Sequence, residues 1–163
     1  MSLDTIVRDF FVSSLSAKQM QISTIIGESV YIMLALVLIF LVYNFVKDKK
    51  DFRFTKLAAG AIVLLVLVEV MKMIFPRVRP DDSGLDSFPS RHTALAFFLS
   101  YFWPEKKTKI IFYTWAIVIA VSRLASNIHW FTDVLAGVAI GIAFAFVINK
   151  INVEKIIKKL KEL

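Results

Sequence analysis

IIGESVYIMLALVLIFLVYNFV, residues 25–46, is apolar almost from end to end. A helix needs roughly 20 such residues to cross the ~30 Å of a bilayer's hydrocarbon, and this stretch is long enough. Four more apolar segments follow at 57–75, 88–103, 109–124 and 130–148. The third and fourth segments are short for a span, a shortfall that bilayer thinning or helix ends set below the headgroups accommodates. The connections at 47–56, 76–87, 104–107 and 125–129 are brief and polar. These features predict an all-α integral membrane helical bundle, a single domain over 1–163 with five transmembrane spans in 25–148.

Ahead of the first span, Leu3, Ile6, Val7, Phe10, Phe11 and Leu15 recur at helical spacing and give one apolar face. Asp4, Arg8 and Asp9 interrupt the stretch, unlike the h-region of a secretory signal. Residues 1–20 are therefore expected to lie in the membrane interface as an amphipathic helix. Residues 150–163 carry the pattern of a basic amphipathic tail.

Composition agrees. The 163 residues are 58% hydrophobic with five glycines and four prolines, and the mean hydropathy of +0.69 lies far above that of a soluble domain. Cysteine is absent, which excludes disulfides and thiolate metal sites. Two histidines do not suit a protein-bound zinc. Asp81, Asp82 and Asp86 fall in one loop, which reads as solvated, with headgroup selection as the alternative. No metal or cofactor is expected. The net charge of +7 reads as cytoplasmic lysines rather than as a nucleic-acid surface. One side of the five-span layout holds thirteen cations (Lys47, Lys49, Lys50, Arg53, Lys56, Lys106, Lys107, Lys109 and five tail lysines) against six on the other, with Lys72 inside the second span. The positive-inside rule makes the richer side, with the C-terminus, cytoplasmic. The opposite loops and the N-terminus then face outward from the cell membrane.

Ionisable groups at membrane depth are costly unless they pair or act, and here they gather at the outward ends of the spans. Lys72 lies near the end of the second span and Arg79 in the loop after it. Ser90, Arg91 and His92 open the third, Arg123 closes the fourth, and His129 and Asp133 precede and open the fifth. His129 and Asp133 stand four residues apart, on one face of a helix. Asp133 there can accept the Nδ1 proton and leave Nε2 as a nucleophile or a base; the plainer reading is a helix-stabilising pair. Lys72, Arg79 and Arg123 suit the oxygens of one multiply charged oxyanion. Ser90, after Pro89, suits a helix start whose free N–H groups favour an anion.

Three strings contain these residues: Lys72-(six residues)-Arg79-Pro80, Pro89-Ser90-Arg91-His92, and Ser122-Arg123-(five residues)-His129-(three residues)-Asp133. Together they resemble the three-part signature of the type 2 phosphatidic acid phosphatase superfamily, K-x6-R-P, P-S-G-H and S-R-x5-H-x3-D. The resemblance implies a metal-independent double displacement on phosphorus. His129 would form a phosphohistidine, Asp133 would orient it, and His92 would serve as general acid and then base. Lys72, Arg79, Ser90 and Arg123 would hold the phosphoryl oxygens. Arg91 departs from the signature's glycine, pointing either to solvent and headgroups or to a second phosphate.

The leading expectation is thus a lipid phosphatase acting on a membrane lipid phosphate such as a polyprenyl diphosphate, phosphatidic acid or phosphatidylglycerol phosphate, with no nucleic-acid partner. The alternatives are a lipid phosphotransferase with an alcohol acceptor and a non-catalytic binder of anionic lipids.

Overall fold

The computed structural model describes residues 1–47, 53–103 and 105–152. Among them are seven helices: α1 (Leu3–Ser14), α2 (Ala17–Glu28), α3 (Val30–Lys47), α4 (Arg53–Ile74), α5 (Arg91–Tyr101), α6 (Lys106–Ala125) and α7 (Phe131–Lys150). The expected tail beyond residue 152, and Lys49 and Lys50, lie outside the described residues.

Four segments are long and apolar enough to cross a membrane: Ala17–Lys47, Thr55–Ile74, Lys106–Ala125 and Phe131–Lys150. The first joins α2 and α3 across Ser29 and begins well before residue 25. Residues 1–20 are accordingly two pieces rather than one interfacial helix. α1 ends at Ser14 and buries none of its residues, and Ser16 starts α2 through a capping box with Gln19. The expected span at 88–103 is also different: α5 has 11 residues, about 16 Å of helix, short of the hydrocarbon thickness. It is instead the axis of the bundle, buried continuously from His92 to Ser100. Around it, Ile39, Ile62, Ile111 and Val147 turn outward more than half exposed, the surface of a protein whose solvent is lipid.

α7 holds α5 by close approach. A Cβ at Gly137 would come 2.7 Å from the Ser90 carbonyl oxygen, and one at Gly141 would come 2.3 Å from that of Ala94. This glycine pair, four residues apart, lets two backbones meet with no side chain between them. The Ser90 N–H then reaches the Asp133 carbonyl at 3.1 Å, so the start of α5 is tied to the start of α7. α6 ends where Asn127 takes φ 55°, the left-handed conformation that asparagine tolerates at a helix end. That turn delivers His129 to the same end of the bundle.

Candidate active site

The loop at 75–90 is closed by its own backbone. Arg77 N–H donates to Leu85 O at 2.8 Å, Arg79 N–H to Gly84 O at 2.9 Å, and Ser87 N–H to Arg77 O at 3.1 Å. The closure presents Arg77, Arg79, Asp86 and Ser87 to the ends of α4, α5 and α7.

His129 is 4% exposed. Its Nδ1 lies 2.7 Å from the Ser87 carbonyl oxygen and 3.8 Å from Asp133 Oδ2. A carbonyl oxygen only accepts, so Nδ1 carries the proton and Nε2 keeps its lone pair. The tautomer expected from the His129–Asp133 spacing is present, but Ser87 holds it. Asp133 stands behind this pair. Its Oδ2 accepts from Ser87 Oγ and from Trp130 N–H at 2.8 Å, and its Oδ1 accepts from Arg77 Nη1 at 2.7 Å. The sequence spacing put His129 and Asp133 side by side and missed the residue between them: Asp133 is already satisfied as a helix-start acceptor and accepts from the Ser87 hydroxyl, while the Ser87 carbonyl meets His129.

Arg77 continues outward. Its Nη2 donates to Asp4 Oδ2 at 2.6 Å, while Asp4 also accepts from Thr132 N–H at 2.9 Å. α1 is thereby fastened to the first turn of α7. Although partial burial works the other way, the Thr132 N–H and the Arg77 guanidinium hold the Asp4 carboxyl below the usual carboxylate range. Burial pushes the His129 imidazole below the ordinary histidine range, and the charges of Arg123 and Lys72 add to this against the opposing Asp133.

The remaining residues collect around two further carboxylates. Asp86 receives Arg79 through two bonds, Nε to Oδ1 at 2.8 Å and Nη2 to Oδ2 at 2.9 Å. Lys72 Nζ donates to the Asp86 carbonyl at 2.9 Å and lies 3.5 Å from its Oδ2. Burial favours the neutral acid, but Arg79 and Lys72 outweigh it and hold Asp86 below the carboxylate range. Asp81, Asp82 and Asp86 are all exposed, as expected of a solvated loop, but Asp86 also pairs with Arg79 and Lys72. Glu28, on α2, lies 3.1 Å from His92 Nε2 through each carboxylate oxygen and accepts from Arg123 Nη1 at 3.4 Å. Arg123 lies against Gly27, where a Cβ would meet its Nη1 at 2.2 Å; a larger residue there would push the guanidinium away.

Ser90 is fully buried and starts α5, its hydroxyl 2.9 Å from Thr93 Oγ1. The first helical bond of α5 is Ala94 N–H to Ser90 O, which leaves the preceding N–H groups at the mouth of the helix. Arg91 turns towards α4, its Nη1 3.0 Å from Glu69 Oε1. The predicted residues thus meet at one end of the bundle, and Asp4, Glu28, Arg77, Asp86 and Ser87 join them. Glu28 had a signal, as the one acidic residue in 25–46. Ser87 had none.

Residues 53–157 match the PAP2 superfamily, and the chain belongs to that superfamily. It is 37% identical over 91 residues to a lipid A 1-phosphatase of Porphyromonas gingivalis, covering 52% of this chain and 20% of that protein. It is 31% identical over 122 residues to phosphatidylglycerophosphatase B of Bacillus subtilis, covering 60% of each. The chain therefore spans one fifth of the first of these relatives and three fifths of the second. In fold it is similar to Aquifex aeolicus LpxE, with a TM-score of 0.75 at 24% identity over 93% of this chain and 97% of that one. It is also similar to the first transmembrane PAP2 type phosphatidylglycerolphosphate phosphatase from Bacillus subtilis, with a TM-score of 0.76 at 24% identity over 90% and 82%.

Proposed function

We propose that this membrane protein is a metal-independent lipid phosphatase working through a phosphohistidine on His129. The observation that carries the reading is the Nδ1–H bond to Ser87, which leaves Nε2 with its lone pair at the end of the bundle where Lys72, Arg79 and Arg123 gather. Nε2 attacks phosphorus while the bond to the leaving oxygen breaks, and His92 gives that oxygen its proton. Water then attacks the phosphohistidine, His92 takes the water's proton, and inorganic phosphate departs with His129 restored. Lys72, Arg79, Arg123 and the N–H groups opening α5 stabilise the equatorial oxygens as charge shifts onto them. Ser87, Asp133 and Arg77 hold the nucleophile.

A lipid fits better than a soluble phosphate ester. A groove of about 260 Å³ runs between α2 and α6, lined by Ser23 and Ile26 on one side and by Ile117, Val118, Val121 and Ala125 on the other. It includes Ser122, next to Arg123 in α6, and its apolar lining suits a hydrocarbon chain whose headgroup would extend towards the cations. The names of the two relatives, one a lipid A 1-phosphatase and one a phosphatidylglycerophosphatase, support the same substrate class.

The helix ends support a five-crossing layout. Arg53, Tyr101, Lys109 and Asn149 line one cavity, which joins the start of α4, the end of α5, the start of α6 and the end of α7. The opposite ends of the same helices carry the site, so α5 makes the fifth crossing as a short buried helix. The cation count supports an outward-facing site and a cytoplasmic C-terminus.

The test is phosphate release by the purified protein in detergent, with EDTA, from a panel of lipid mono- and diphosphates and without an alcohol acceptor. Release that survives chelation supports the reading. Transfer only to an added alcohol supports a phosphotransferase instead.

A further inference from the structure

Every cation proposed to hold phosphate already has a carboxylate from its own chain. Asp86 grips Arg79 in the two-bond geometry that a phosphate would use and also lies against Lys72. Glu28 spans Arg123 and His92. These two carboxylates differ from Asp133, whose side chain is fully buried: the Asp86 and Glu28 side chains are 52% and 46% exposed. Asp86 lies in a loop, and Glu28 lies at the break between α2 and α3. Either can swing into water at little desolvation cost, whereas Asp133 cannot.

We infer that Glu28 and Asp86 stand in for the phosphoryl oxygens in the unliganded protein and are displaced when a phosphate binds. The inference rests on the phosphatase reading and goes beyond it, because Glu28 lies outside the matched residues 53–157 and departs from no signature position. Two consequences follow from the charges. The empty site is neutralised, so four cationic or basic groups do not repel one another and distort the pocket. A product phosphate must hold its place against two tethered competitors, which favours its release once the leaving lipid has gone.

The experiment measures inorganic phosphate and vanadate as inhibitors of lipid phosphate hydrolysis, and their binding by thermal shift, for the full chain in detergent. The proteins are wild type, Glu28→Gln, Asp86→Asn and the double variant, with Glu105→Gln, an exposed helix-start residue at the far end, as the charge control. Removing a competitor tightens phosphate binding by roughly three- to tenfold per site, the scale of one half-exposed charge-assisted pair; Glu105→Gln leaves it unchanged. The thermal-shift arm still reads binding in a variant that has lost turnover. Unchanged or weaker phosphate binding in both single variants overturns the inference. A wild type that neither hydrolyses lipid phosphates nor binds phosphate overturns the phosphatase reading itself.

Discussion

His129 and His92 face the same end of the bundle and are held in opposite ways. His129 sits behind a backbone carbonyl, with a fully buried carboxylate that Ser87, Trp130 and Arg77 saturate. His92 meets a carboxylate half open to solvent, on a helix that also bears on Arg123. The first arrangement fixes a tautomer and changes little during turnover, as a nucleophile requires. The second can exchange partners, as a group that passes a proton to a leaving oxygen and then takes one from water requires. The difference lies in what surrounds each ring, since both are imidazoles at similar depth.

The largest effect that sharpens this contrast is loss of the proposed nucleophile. His129→Ala lowers phosphate release on the order of 10⁴-fold or more, and His92→Ala roughly 10²–10³-fold. Steady-state assays with a lipid phosphate check both, and equal residual rates would erase the distinction. The support behind His129 comes next. Arg77→Gln leaves the sealed Asp133 without its counter-ion, an expected loss of about 1–3 kcal/mol. It should appear in kcat more than in KM, because Arg77 reaches Asp133 and Asp4 and orients His129 only through them. A pure KM effect would place Arg77 on the substrate instead. The smallest effect is on pH dependence. Burial lowers His129, so its neutral, nucleophilic form persists below the ordinary histidine value of about 6.5. The acid limb of kcat/KM, after correction for the substrate's own ionisation, should therefore lie below pH 6.5. A limb above 7 would mean that the ring is not held as described.

Much of this arrangement was legible in the sequence. Runs such as 25–46 and 130–148 marked membrane helices, because apolar content over span length has few other outcomes. The clustering of Lys72, Arg79, His92, Arg123, His129 and Asp133 at one end followed from span order alone. α5, with 11 residues, is shorter still than the run at 88–103, already short for a span, implied, and its burial was not legible because burial inside protein and exposure to lipid select the same residues. Its apolar run gave no sign that Gly137 and Gly141 would press it against α7. The His129–Asp133 spacing was informative about neighbourhood and not about bonding, since Ser87 arrives from a loop 42 residues earlier. Arg77 was legible as one of the cations at the outward ends and Asp86 as a loop acid, but not their partners: backbone closure of the loop sets Arg77 on Asp133 and Asp86 on Arg79 and Lys72. Asp4 shows the same at longer range, its partner Thr132 lying 128 residues away.

The account depends most on the bond proposed between phosphorus and one particular imidazole nitrogen. Rapid quenching in alkali after mixing the protein with a lipid phosphate labelled at phosphorus, followed by mapping of the labelled peptide, tests it directly. The account predicts an acid-labile, alkali-stable label on His129, present in His92→Ala and absent from His129→Ala. Label on His92, or normal turnover in His129→Ala, would contradict it.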